Sequence, residues 1–563
     1  MRTSLFRLAA TAVIAVMSLT IGLSLRAQTE GSVALTGYVS SMEEGPMEGV
    51  LVSAKRQGST ITTTVVTDQE GRYRFPRERL KAGHYFLDIW ATGYELGGDA
   101  ATEIAAQSTA TIDLELQPAS NLASQLSNAE WVDSMPGTPE ENESLRRTCG
   151  GCHALKVPLM TNYDADTWLS VFERMRHYPP LAFPLMPQLR PGDRVGPGPT
   201  NLARQAQQDR WRAQFLAGVN LSSASKHNYP LKVMPRPTGK ATQVIYTTYD
   251  LSPSTRQPHD VIVDSDGMAW YASFGEQVLA KLDPDTGELT EYEIPLLKPE
   301  APTGVLSVQF DASENIWLAM QFQGAVAKFD RQTESFQIFI LPEELNADHA
   351  QITQLSPQAS HVDGKVWMIE SGTYNVLRLD TVTGDFEEFA PFEIPRPNIY
   401  SVLSDSQNNA YFTVWGAEHI GRIDAKTGEI TLYQTPTLGS GPRRGFVDPQ
   451  DRVWFGENFG NKIGMFDPKT SQFREWDLPP YSYPYDVAVD KHGHVWAGGQ
   501  TSDRIVRLVP ETGEVTDYRL PGFVNIRRVF VDSRSDPVAF WIGANHEASI
   551  IKLEPLDTLS AAP

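Results

Sequence analysis

The sequence predicts a multidomain, mainly-β chain: an N-terminal β-sandwich, a small α-helical domain and a C-terminal seven-bladed β-propeller. Three observations lead there. Residues 28–118 are short β-rich runs between Gly, Asp and Glu turns. Residues from about 140 to 235 place apolar side chains at helical spacing around the only two cysteines of the chain. From about 240 onward a unit of 42 to 50 residues repeats.

The first 27 residues stand apart. Arg2 and Arg7 flank the start of an almost wholly apolar run over 8–25, and Arg26-Ala27 leads into polar Gln28-Thr29-Glu30. That is the pattern of a secretory signal peptide cut after Ala27, so a bacterial, periplasmic protein is expected. The absence of a cysteine near the cut argues against a lipoprotein. The net charge of −21 becomes −24 once three arginines leave with the leader. A chain this acidic is a poor partner for nucleic acid or an anionic membrane. It suits a redox partner protein or a small polar or anionic substrate. No second run is apolar and long enough to span a bilayer, so no integral span is expected after signal removal.

The sandwich, residues 28–118, is read from β-rich runs at 33–39, 50–54, 62–67, 85–90 and 111–116. Its stretch Thr67-Asp68-Gln69-Glu70-Gly71-Arg72-Tyr73-Arg74-Phe75, followed by Gly83-His84-Tyr85 and Ala91-Thr92-Gly93-Tyr94, resembles the carboxypeptidase regulatory-like domain. The resemblance implies a carbohydrate-binding-like fold used for packing, adhesion or spacing. Residues 119–143, polar and rich in Ser, Asn and Pro, read as a linker.

The next segment, 144–235, carries Cys149-Gly150-Gly151-Cys152-His153. Two thiols spaced C-x-x-C with His directly behind form the attachment pattern of a c-type haem. Each thiol can form a thioether to a porphyrin vinyl group while the imidazole ligates iron. A redox dithiol does not need the trailing His, a zinc site needs two more ligands, and a two-residue disulfide is the remaining rival. One covalent haem c is therefore expected on Cys149, Cys152 and His153, within a cytochrome c-like domain. Helices are predicted near 141–148, 166–178 and 202–219, with Trp168, Val171, Phe172 and Met175 on one face of the second. Met160, Met175, Met186, Met234 and His177 are candidates for the sixth iron position. Met175 is the first choice: Trp168, Val171, Arg174 and Met175 resemble the W-x-x-V-x-x-R-M helix of small cytochromes that accompany periplasmic oxidoreductases. Met186, beside Pro187 in a proline-rich loop, is the alternative.

The propeller, 240–563, is read from anchor aromatics Trp270, Trp317, Trp367, Tyr411, Trp454, Trp496 and Trp541, spaced 47, 50, 44, 43, 42 and 45 residues apart. Seven units of four strands form a seven-bladed ring. The last unit lacks an outer strand after Leu553, and 242–251 is expected to supply it. In such a blade, the links into the first strand and from the second to the third strand share one face. Counting five back from each first-strand Asp gives His259, Leu306, Tyr400, Arg443, Tyr485 and Arg527 on that face. Counting three on from each anchor gives Ser273, Met320, Glu370, Val414, Glu457, Gly499 and Ala544. Neighbours add Arg444, Asn458, Asp486, Arg528, Asn545 and His546. Tyr400, Arg443, Arg444, Tyr485, Arg527, Arg528 and Asn545 are thus candidates to bind a polar or anionic ligand. The competing reading is a solvated charged rim.

The repeats also resemble a family. Val453-Trp454-Phe455-Gly456-Glu457 with Lys462-Ile463-Gly464-Met465-Phe466-Asp467, and Pro258-His259-Asp260-Val261 with Trp270, resemble the streptogramin (virginiamycin B) lyase propellers over about 320 residues. Those lyases open a cyclic depsipeptide lactone by elimination, using a metal-assisted His and Glu. The resemblance implies His259 or His546 as base and Glu370 or Glu457 as holder of a divalent metal. Arg443 departs from the pattern, standing where a same-blade base would sit. A quinoprotein-like dehydrogenase is a third reading, but its tryptophan-rich blade motif and vicinal cysteines are missing. The function expected is electron transfer, or an oxidoreductase component with haem c as electron acceptor; a carbon–oxygen lyase with an accessory cytochrome is the alternative.

Overall fold

The computed structural model describes residues 32–150, 153–178, 188–189, 202–222, 226–347, 350–393, 396–545 and 547–557. The signal peptide read over 1–27 lies outside them.

The first unit is a β-sandwich. One sheet is built on Val33–Ser41, paired with Arg72–Pro76 and Leu114–Pro118. The other contains Leu51–Arg56, Ile61–Val66, Gly83–Trp90 and Ala100–Ile104. Alternating apolar residues of both sheets, among them Leu35, Val52, Tyr73, Phe75 and Leu87, fill the space between. The Asp68–Gly71 turn explains its own sequence. Asp68 Oδ1 accepts from the amide of Arg72 at 2.8 Å. Gly71, at φ +74°, passes so near the chain that an added Cβ would lie 2.7 Å from the Val39 carbonyl oxygen.

Residues 119–143 are not the open linker their composition suggests. A 3₁₀ turn at Leu122–Gln125 leads into α1 (Asn128–Ser134), which opens with a capping box between Ser127 and Glu130. Glu130 and Trp131 are fully buried. Polar residues here cap helices and bridge units, so polarity alone misreads the segment. Four helices follow: α2 (Pro139–Cys149), α3 (Lys156–Leu159), α4 (Ala165–Met175) and α5 (Leu202–Val219). Thr138 and Glu141 form a second capping box and Pro139 starts α2, which ends at the first cysteine. Trp131, Leu145, Leu155, Leu159, Trp168 and Leu216 form the small core of this segment. Among the described residues no helix is long and apolar enough to cross a membrane.

From Pro258 to Arg519 the chain makes six four-stranded antiparallel sheets, the first six blades. The anchor aromatics lie on the second strand of each blade and share core clusters with the next: Trp270 with Val305 and Ile316, Trp317 with Ile352 and Val366, and Trp496 with Phe540, whose ring it contacts. In four blades the indole donates to the Asp six residues earlier, as Trp270 does to Asp264 at 2.7 Å and Trp496 to Asp490 at 2.8 Å. That Asp also caps the intervening turn, which ties turn, strand and inter-blade core into one recurring unit.

The seventh blade contains Phe530–Asp532, Ala539–Ala544 and Ser549–Pro555. Val244–Asp250 completes it, in register from Val244 opposite Pro555 to Asp250 opposite Ser549. The other edge of this strand pairs with Ile61–Val66 of the sandwich, from Ile245 opposite Val65 to Tyr249 opposite Ile61. Seventh blade and sandwich are therefore one continuous eight-stranded sheet.

Candidate functional site

The side chains of the propeller axis are aimed by one recurring device. In six blades the pairing of first and second strands shifts register near its start, between Pro258 and Asp260, Val305 and Val308, Ile352 and Gln354, Ile399 and Ser401, Pro442 and Gly445, and Pro484 and Asp486. Such a bulge breaks the alternation of a strand and lets neighbouring residues both face the axis. It is how Arg443 and Arg444 join one cluster.

That cluster is buried, not a solvated rim. His259, Arg444, Tyr485 and Arg527 are each at most 1% exposed, and Arg443, Asp486 and Asn545 are buried with them. One oxygen of Asp260 organises the centre: Oδ1 lies 2.7 Å from His259 Nδ1 and accepts from Arg444 Nη1 at 2.8 Å. Arg444 Nη1 also reaches the Arg527 carbonyl oxygen at 3.2 Å. Burial opposes the charge on Asp260, but Arg444, His259 and Arg528 outweigh it and hold the carboxyl well below its ordinary range. Burial drives His259 down to about 4, so its imidazole is neutral near pH 7. Arg528 spans Asp486 and Asp260 at 3.6 and 4.0 Å and donates to Gln309 at 3.0 Å.

Beside it stands an aromatic cage. The guanidinium carbon of Arg443 lies 4.0, 4.4 and 4.7 Å from the ring centroids of Tyr485, Trp415 and Tyr400. Arg443 Nη1 donates to Gln500 at 2.5 Å, and the Tyr400 and Tyr485 hydroxyls hydrogen-bond each other. Burial raises both phenols; on Tyr400, Arg443 and Arg444 outweigh it and hold that phenol below its ordinary value, while Tyr485 is pushed up to about 12.

The two glutamates do not join His259. Glu370 accepts backbone hydrogen bonds from Gln351, Gly372 and Thr373 at 2.8, 2.8 and 2.6 Å, so it fixes its own loop. Glu457 is buried beside Glu475; burial, then that charge, pushes it up to about 8. Among the described residues no group of three or more His, Cys, Asp or Glu is placed to hold a metal ion. His546 lies outside the described residues.

The helical segment covers this face. Arg146 sits over the Tyr483 ring at 3.7 Å, Arg147 over Phe459 at 3.5 Å and Lys156 over Phe523 at 3.5 Å. Gln188 binds Gly275 and Thr303 across the ring. Glu130 accepts from Arg519 at 2.9 Å. Every propeller residue in these contacts except Arg519 lies in a link into a first strand or from a second to a third. The face predicted to carry function is thus the one that is capped, with Cys149 at the end of α2 and Gly150 next to Thr501 and Asn525. His153 is buried, and its Nδ1 lies 3.2 Å from the Ala154 carbonyl oxygen. A carbonyl only accepts, so Nδ1 carries the proton and Nε2 keeps its lone pair, the arrangement of a metal-ligating imidazole. Met175 is 37% exposed and outside the apolar core of the segment, whereas Met160 packs against that core. Cys152 and Met186 lie outside the described residues.

Sequence reasoning did not find Trp415, Phe459 and Gln500, which follow the second strands, nor the role of Asp260. The adjacency of Asp260 to His259 was the available signal.

Residues 239–446 match the virginiamycin B lyase family. That span covers the closing strand, four blades and most of the first strand of the fifth. Residues 34–117 match the carboxypeptidase regulatory-like domain, which is the sandwich. No curated protein matches the chain. Among solved structures, virginiamycin B lyase from Staphylococcus aureus is 20% identical, covering 55% of this chain and 99% of that one, with a TM-score of 0.47. A streptogramin B lyase is 21% identical over 56% of this chain and 99% of that one, TM-score 0.48. The extracellular domain of a hybrid two-component system from B. thetaiotaomicron is 14% identical over 54% of this chain and 39% of that one, TM-score 0.42.

Proposed function

We propose that this chain is an exported c-type haem protein, an electron-transfer or oxidoreductase component whose propeller binds a polar or anionic substrate beneath a haem-carrying lid. The observation that carries the reading is that α2 ends at Cys149 with Gly150 beside Thr501 and Asn525, on the propeller face where Arg443, Arg444, Tyr400, Tyr485 and His259 gather. The donor set fits the group: two thiols for the thioethers, and a buried neutral imidazole oriented through Nδ1. When bound, haem c supplies one-electron exchange at its iron. Cys149, Cys152 and His153 would hold the group, with Met175 as a further iron ligand. Arg146, Arg147 and Lys156 keep the lid seated. The arginines and tyrosines below orient the substrate and exclude water.

The test is the spectrum of the exported chain. A pyridine haemochrome of c type, with haem retained on denaturing gels and lost in Cys149→Ser and Cys152→Ser, is expected. A haem-free exported protein would sink the proposal. A methionine–iron band lost in Met175→Ala assigns the sixth ligand; a high-spin haem that binds carbon monoxide removes Met175 from that role.

The family match over 239–446 favours a second reading, a carbon–oxygen lyase with an accessory cytochrome. It predicts metal-dependent opening of a cyclic depsipeptide lactone, indifferent to haem redox state. The separate engagements of Glu370, Glu457 and His259 weigh against it.

A further inference from the structure

The buried axial cluster contains polar groups that its neighbours leave unanswered, and their pattern is specific. Arg444 spends Nη1 on Asp260 and the Arg527 carbonyl, while its Nε and Nη2 are buried with no hydrogen-bond partner among the described residues. Nε and Nη2 form one edge of the guanidinium fork, two parallel donors spaced for a carboxylate. Arg443 Nε is likewise buried and unanswered. A buried donor without a partner costs about 1–3 kcal/mol, more on a charged group, so such an edge is built for an acceptor that arrives later.

A third group adds a different demand. Asp260 is an ionised acceptor, so the nitrogen of His259 facing it, Nδ1, carries the proton. Nε2 is then a bare lone pair, and it too is buried without a partner. It needs a donor, which a simple carboxylate does not possess. His259 Nδ1 and Arg444 Nη1 meet on the same Asp260 oxygen, so the two residues that carry the unanswered atoms are held side by side.

We infer that the axial site takes a small hydroxycarboxylate, with its carboxylate on the Nε–Nη2 edge of Arg444 and its hydroxyl donating to His259 Nε2. The inference rests on the reading that the propeller mouth holds an anionic ligand, and supplies the class of that ligand. His259 positions the ligand and, being neutral and oriented by Asp260, is the group placed to receive its hydroxyl proton.

The test is calorimetric titration of the full haem-loaded chain with L-lactate, acetate and inorganic phosphate. Lactate is expected to bind about tenfold more tightly than acetate, the worth of one added hydrogen bond. His259→Phe, which keeps a ring against Phe274, is expected to reduce lactate to the acetate level and leave acetate unchanged. Arg444→Gln is expected to abolish binding of both, with near-ultraviolet circular dichroism as the fold control; if it does not fold, the His259→Phe comparison decides alone. Equal binding of lactate and acetate to the unaltered chain overturns the hydroxyl contact while the anionic site stands. Phosphate bound more tightly than lactate overturns the carboxylate assignment. No binding of any of the three overturns both this inference and the anionic-ligand reading.

Discussion

Arg147 lies over the ring of Phe459, its guanidinium carbon 3.5 Å from the centroid, two residues before the first cysteine. Phe459 meets Trp415 at 5.4 Å, and Trp415 meets the Arg443 guanidinium at 4.4 Å. A run of ring contacts thus links α2 to the axial cluster.

Removing lid anchors should loosen α2 in a graded way. Arg147→Ala, on the surface, costs about 0.5–1 kcal/mol. Arg146 is buried, pairs with Glu143 and reaches Thr501, so Arg146→Ala costs on the order of 2 kcal/mol. Hydrogen exchange of the α2 amides should accelerate more in the second variant. Unchanged exchange in both would show that the lid is held elsewhere.

Glu457 should make stability fall with rising pH. Its folded value is raised to about 8 from an ordinary 4.5, so between those limits the folded state holds a proton that the unfolded state has lost. The folded state is therefore favoured below about pH 4.5, and this contribution is lost as pH rises towards 8. Glu457→Gln, permanently neutral, should raise stability at pH 8 by on the order of 2 kcal/mol and flatten the slope. Denaturant unfolding at pH 5 and pH 8 checks both; an unchanged slope refutes the assignment.

The tyrosine pair should titrate unequally. With Arg443 and Arg444 holding Tyr400 below its ordinary value and Tyr485 pushed up to about 12, ultraviolet difference titration should show a phenol ionising below pH 10. Tyr400→Phe should remove that transition. A low transition surviving in the variant would assign it to another tyrosine.

The closing strand should be sensitive to loss of a backbone donor. Thr248 faces Ile551 on one side and Thr62 on the other, and Thr248→Pro should cost about 3 kcal/mol or more. Deleting 32–118 leaves one edge of this strand unpaired, and light scattering should then detect self-association. A monodisperse, equally stable truncation would mean the edge is protected another way.

Repetition made the propeller legible. The Asp-to-Trp interval of six residues recurs because one carboxylate caps a turn and receives an indole, so the pattern exposes both the blade and its register. The same counting brought Tyr400, Arg443, Tyr485 and His259 to one face. It could not separate them from Glu370 and Glu457, because side-chain direction at a strand end depends on the local bulge and on which loop amides are in reach. The helical segment was legible at Trp168, whose place on an apolar helix face is where the segment's core forms. It was misread at Glu130, a charged residue buried because its capping partner Ser127 is joined by Met234 and Arg519, both distant in sequence. The union of sandwich and seventh blade had no sequence signal: strand edges are backbone, and any β-rich run can present one.

That union imposes an order on biosynthesis. The ring is closed by Ser549–Pro555 pairing with a strand that precedes it by nearly 300 residues, while the sandwich edge waiting at Ile61–Val66 is made earlier still. On a chain emerging from its amino end, the sandwich strands and α2, which ends at Cys149, are made while the circle is still open. Under the proposed function, covalent loading of the two cysteines would have a window before the closing strand is made, because a chain arrested short of residue 549 lacks the strand that pairs with Val244–Asp250.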